Sequence, residues 1–263
     1  MPSKLTYAAV FAAFSLPAIV FQWPAAWLQG RLEQASRGRW SLTAAEGTIW
    51  NGGATLLLAE AAGGGDERFD ARRWRAVQNI HWKLRWNEVW LGHLTFDTTL
   101  ERGSVTVSIN GSEVSLEKLE AQLPAMLLGG LISGPLGRYG WGGTLHTRAA
   151  AFRCSTHSTD CRGEIELIWR DASVAEIPGP VLGSYRLGVV GEGPSVHFDL
   201  STQEGRLQVN GHGEAGAGGL RFSGDAAAVG ADSGQLNAQL RTLGRPAGVP
   251  GKYIIEYREA GPS

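Results

Sequence analysis

Asn79-Ile80-His81-Trp82-Lys83-Leu84-Arg85-Trp86 is the stretch whose reading decides the fold: Ile80, Trp82, Leu84 and Trp86 alternate with His81, Lys83 and Arg85. A period of two sends bulky apolar side chains to one face of an extended chain and cations to the other, the pattern of a strand with one wet face. The same alternation returns downstream in Leu94, Phe96, Thr98 and Leu100, and in Val105, Val107 and Ile109. It recurs in Tyr185, Leu187 and Val189, in Val196, Phe198 and Leu200, in Leu207 and Val209, and in Leu220 and Phe222. Parallel sheets covered by helices read as continuous apolar runs, so half-wet strands point to antiparallel sheets. Gly92, Gly103, Gly111, Gly183, Gly193, Gly205 and Gly211 are read as punctuating the strand ends.

One segment breaks the pattern. After Ser115, Leu116, Leu119, Leu123 and Leu127 recur at three and four residues, with Glu117, Lys118 and Glu120 between them. This spacing predicts a helix that Pro124 kinks or ends. The chain also echoes itself: Trp90-Leu91-Gly92 and Val181-Leu182-Gly183 each precede a strand and a glycine, and Gly47-Thr48-Ile49-Trp50 parallels Gly143-Thr144-Leu145-His146. A diverged duplication joined near Ser133 to Gly140 accounts for both offsets. The expected class is mainly β, with antiparallel, glycine-punctuated sheets forming a sandwich or one long curved sheet. The expected division is residues 1–30, 31–135 and 136–263.

At the N-terminal side, Leu5 to Gly30 carry no charge across 26 residues, enough for the roughly 20 that cross a bilayer core. The run is too long for a cleavable signal and continues through Trp23, Pro24 and Trp27, rings suited to the headgroup level. Residues 1–30 are therefore read as a single-pass anchor. Lys4 stands before the span and Arg31, Arg37 and Arg39 after it, so charge bias does not orient it. Cys154 and Cys161 bear on the side: the six residues between them are small or polar, as in a loop that a disulfide closes in an exported compartment. Two free thiols, or a metal site with His157, are the alternatives.

Composition narrows the function. Of 263 residues 43% are apolar, which supplies a core, and 24 Lys and Arg against 25 Asp and Glu give a net charge of −1, unlike the basic excess of nucleic-acid binders. Glycine, 37 of 263, is about twice the average of ~7%, in keeping with many turns. No GxSxG, HExxH or GxxxxGK[ST] occurs, and the histidines stand singly. Gly211-His212-Gly213-Glu214-Ala215-Gly216 spells GxGxxG, but a strand pattern resumes at Leu220 where a dinucleotide site needs a helix. No cofactor, metal or catalytic set is assigned. Asn110-Gly111-Ser112 reads as a turn as well as a glycosylation sequon. Arg68, Arg72, Arg73 and Arg75 sit beside acidic residues after three glycines, either a solvated loop or one that docks to anionic headgroups or a partner.

Gly47, Thr48, Ile49, Trp50 and Gly52 resemble the Gly-Thr-aliphatic-Trp-x-Gly motif of the type II secretion system protein N family. Further matches follow in order: Trp86 with Leu91, Gly92 and Leu94; Gly140 to Gly143; Leu182, Gly183 and Tyr185; and Leu243, Gly244, Gly248 and Tyr253 with Ile254. The resemblance implies an accessory, non-catalytic inner-membrane component of the general secretion machine. Its β body would lie in the periplasm, with the inner-membrane platform and the secretin as partners. A more distant similarity, to AsmA-like proteins, implies lipid handling as the alternative.

Overall fold

The computed structural model describes residues 21–59, 74–131, 139–158, 160–177, 179, 181–230 and 233–259. These form two compact units. The first gathers the described residues up to Leu84 together with Thr98–Glu101; the second holds Arg85–Asp97 and the described residues from Arg102 onward.

In the first unit, helix α1 (Ala26–Ala35) leads into strands β1 (Trp40–Gly47), β2 (Asn51–Ala59) and β3 (Trp74–Leu84). The three strands pair antiparallel in the order β1-β2-β3. Among the described residues its buried apolar side chains are Ala25, Leu42, Ala54, Leu58, Ala59, Trp82 and Leu84. Helix α1 runs through Gly30 and on past Arg31 and Glu33. Among the described residues no helix is long and apolar enough to cross a membrane. Residues 1–20 of the expected anchor lie outside the described residues.

The second unit opens with α2 (Trp86–Val89) and the start of β4 (Leu94–Leu100), then β5 (Gly103–Asn110), β6 (Glu113–Pro124), α3 (Leu127–Leu131), β7 (Trp141–Ala149), β8 (Phe152–Ser155) and β9 (Cys161–Val174). It continues through β10 (Gly183–Gly193), β11 (Ser195–Gly205), β12 (Leu207–Gly216), β13 (Gly219–Ala228), α4 (Ser233–Leu243), β14 (Arg245–Pro246) and β15 (Lys252–Glu259). From β5 the order is β5-β6-β7-β9-β10-β11-β12-β13-β15-β14, with β8 between β6 and β9. Neighbouring strands are also neighbours in sequence almost throughout. This open antiparallel meander is mainly β, as the alternation predicts, and of the two expected forms it is a single sheet and not a sandwich.

The two faces of the meander differ as the period of two requires. Val189, Phe198, Gly213, Phe222 and Tyr257 lie opposite one another across β10 to β15, and beside them run Leu187, Leu200, Gly211, Gly224 and Ile255. These apolar residues are half-buried, whereas His197, Glu214, Arg221 and Arg258 in the adjacent row of the other face are exposed. Helix α4 covers one end of the apolar face. Leu236 packs with Val174 and Leu182, and Leu240 with Ala226 and Tyr253.

Three sequence expectations need correcting. The helix after Ser115 is strand β6: Val107 pairs with Leu116 and Thr106 with Lys118, so Glu117 is a bulge residue without a partner in the ladder. One extra residue changes an interval of two into three. Leu116 and Leu119 thus keep to one face, and the sum of strand and bulge imitates helical spacing. Trp86 does not continue the stripe of β3, because the chain leaves the ladder at Leu84 and Glu88 N–H returns to the Arg85 carbonyl in a helical turn. Gly211 lies inside β12, not at its end. There and at Gly213 a Cβ would run into the rings of Phe222 and Phe198, which stack parallel 6.2 Å apart over the glycine strand.

Candidate functional site

The segment Gly47 to Gly53 forms the β1–β2 hairpin, and each motif residue has a local task. Gly47 has φ +79°, a left-handed conformation that a Cβ would strain, and its missing Cβ leaves room for the Asn51 carbonyl at 2.5 Å. Thr48 closes the turn: its N–H donates to the Asn51 carbonyl at 2.9 Å, while its Oγ1 accepts from the N–H groups of Trp50 and Asn51 at 3.3 and 3.1 Å. Gly52 lets the indole of Trp82 lie against the turn; a Cβ there would fall 2.9 Å from the ring and 2.8 Å from the Thr48 carbonyl. The Trp82 Nε1–H donates to the carbonyls of Thr48 and Ile49 at 3.2 and 3.1 Å.

The closed turn then holds the start of the described chain. Ile49 N–H donates to the Trp23 carbonyl, and Ala25 N–H to that of Gly47, both at 3.0 Å, while Pro24 and Thr48 form an antiparallel bridge. Ala25 is 1% exposed. Trp23 and Trp27 rings pack at 5.0 Å, and the Arg31 guanidinium lies 4.6 Å over Trp27, a cation–π contact. Phe21, Trp23 and Trp27 nonetheless stay partly exposed. Physically this is a bracket: it ties Trp23, Pro24 and Ala25 to the β1–β2 turn. Trp82, read from sequence only as part of the apolar stripe of its strand, supplies two of the hydrogen bonds that hold the turn.

Cys154 and Cys161 face each other across the β8–β9 hairpin and are joined, with S–S 2.09 Å. Ile109 and Val114 precede them in the same row at the far edge of the apolar face. Of the candidate docking arginines, Arg75 is the second residue of β3, while Arg68, Arg72 and Arg73 lie outside the described residues. The structure therefore brings the motif residues together and leaves that loop undescribed. Asn110-Gly111-Ser112 is the β5–β6 turn, with Asn110 opposite Glu113.

A charged cluster that sequence reading did not single out lies in the second unit. Arg85 donates through Nε and Nη2 to the two Asp97 oxygens at 2.8 and 2.7 Å, and through Nη1 to Glu88 and Glu117 at 3.2 and 3.4 Å. Thr106 Oγ1 adds a hydrogen bond to Asp97 at 2.9 Å. The Asp97 hydrogen bonds, against the cost of burial, lift the Arg85 pKa above its ordinary value, and hydrogen bonds from Thr95 and then Arg85 hold the Glu88 carboxyl below its own. Below the cluster the hydroxyls of Thr95 and Ser108 meet at 2.9 Å, fully buried. Its sequence signal was faint: Arg85 read as one more wet-face cation, and Glu117 was hidden in the apparent helix.

Among the described residues no group of three His, Cys, Asp or Glu is placed to hold a metal ion. The protein-family model described as "Type II secretion system (T2SS), protein N" matches residues 38–255. No curated protein and no solved structure matches the chain.

Proposed function

Because the chain belongs to the type II secretion system protein N family, we propose that it is an accessory, non-enzymatic component of that machine, anchored in the inner membrane through residues 1–30 with its β body in the periplasm. Its role is assembly, or contact between the inner-membrane platform and the secretin. The observation that carries this reading is the family match over 38–255, which includes the motif hairpin. Two features support the membrane side. Leu5 to Gly30 are free of charge, and the hairpin grips the backbone where that segment joins the body. In this reading the body sits close to the bilayer. The disulfide between Cys154 and Cys161 suits an oxidising compartment. A duplicated origin for residues 31–135 and 136–263 belongs to the same proposal.

The reading is tested by fractionating the native host. The full chain is expected in inner-membrane fractions, co-purifying in mild detergent with other secretion components, and removal of residues 1–30 should release it. A chain that fractionates without those components, or stays membrane-bound without residues 1–30, contradicts it.

A second reading rests on one specific observation. The apolar face of the meander is only half-buried, and of the described helices α4 covers just one end of it. An apolar strip of that kind fits acyl chains, which is the lipid-handling alternative.

A further inference from the structure

Between β3 and β4 the chain makes a tight turn whose tip carries Trp90, 91% exposed, and Leu91, 75% exposed, with Trp86 and Leu94 partly exposed beside them. Exposure of this order is unusual for a tryptophan, whose indole normally contributes more when covered. The turn is not slack. Glu88 N–H donates to the Arg85 carbonyl, Leu91 N–H and His93 N–H to that of Glu88, and Gly92 N–H to that of Val89; Gly92 completes the reversal at φ +81°. Its base is fixed by the Arg85 fork on Asp97, Glu88 and Glu117. The tip is thus held in one conformation before anything binds, which lowers the ordering cost of an encounter.

The charges at the base of the turn choose the occupant. Three carboxylates, Glu88, Asp97 and Glu117, stand against the Arg85 guanidinium, with His93 beside Glu88 and Lys118 opposite Thr106 in the ladder, so acid outweighs base there. Such a skirt is repelled by anionic headgroups, which attract Lys and Arg instead. A rigid aromatic anchor standing over a charged base suits a protein-binding hot spot, whose apolar centre is bordered by polar groups. We infer that the Trp86–Leu94 turn is a protein-docking knob, with Trp90 and Leu91 entering an apolar socket with a basic rim on another secretion component. This deepens the proposed function and rests on it, since the partner class comes from that reading.

The test uses the full chain in its native membrane, with Leu91→p-benzoylphenylalanine as the photoreactive probe and amine-reactive crosslinking of the unmodified chain in parallel. Irradiation is expected to give an adduct with a secretion component, and W90A/L91A should lower amine-reactive capture of the same component about tenfold or more. Because both side chains are exposed, that variant should keep the parent melting temperature. Suppose the probe yields a lipid adduct, an adduct with a second copy of the chain, or none, while amine-reactive crosslinking still captures secretion components. The docking knob is then wrong and the proposed function stands. Unchanged capture by a folded W90A/L91A has the same meaning. Capture of no secretion component by either reagent overturns the proposed function and the knob with it.

Discussion

Single residues carry the hairpin bracket, and its glycines are not interchangeable with alanine. In Gly52→Ala the new Cβ would sit 2.6 Å from the Glu46 carbonyl as well as against Trp82, with backbone on one side and a ring on the other. A loss of about 2–3 kcal/mol is expected, read as a shift in the urea midpoint of the purified full chain. Thr48→Val keeps the shape and removes the acceptor for two N–H groups, for an expected loss of about 1–2 kcal/mol. Parent-like stability in both would mean that the turn is not held as described. Tyr185 gives a pH-dependent check. It is 5% exposed, its hydroxyl donates to the Leu207 carbonyl at 2.8 Å, and burial raises its pKa above the usual value. A raised pKa means that the folded state holds the proton more tightly, so this contribution is complete below pH about 10 and fades as pH climbs beyond it. Tyr185→Phe is expected to lose about 1 kcal/mol at neutral pH and to melt with a shallower decline above pH about 10.

Elements show what the amino-acid order reveals and what it conceals. Strands β3, β4, β5 and β10 to β13 were legible because their alternation is uninterrupted over several residues, and one wet face makes period two visible. Strand β6 was not, since the bulge at Glu117 shifts the phase by one and turns the alternation into helical spacing. The motif residues were legible as a set, yet their purpose was not. Trp82, the donor that ties the turn down, comes from a strand more than thirty residues away. The Arg85 cluster was illegible for the same reason: its four members are brought together by strand pairing and a turn, not by sequence proximity. At this scale the β8–β9 hairpin offers a further test. The disulfide closes a short loop, with a sequence separation of 7, and its removal in C154S/C161S is expected to cost about 2 kcal/mol. A matching drop in melting temperature on reduction of the parent, absent in the double variant, identifies the bond as the cause.

For the whole molecule, the glycine excess has a structural meaning. Glycines in β12 and β13 let Phe198 and Phe222 lie flat on the sheet, so the excess serves close ring-on-backbone packing as well as turns. The half-buried apolar face remains the feature that separates scaffold from lipid carrier. If lipid handling is the role, gently extracted full chain should carry acyl-chain masses in native mass spectra, and Leu200→Asp, in the uncovered part of that face, should remove them. A clean apo mass favours the scaffold. The central claim, that this chain serves type II secretion, is tested most directly by measuring export of the system's substrates in a host that lacks it. Secretion is expected to fall, to recover with the full chain, and to stay low when residues 1–30 are missing. Undiminished secretion in the deletion host contradicts the account.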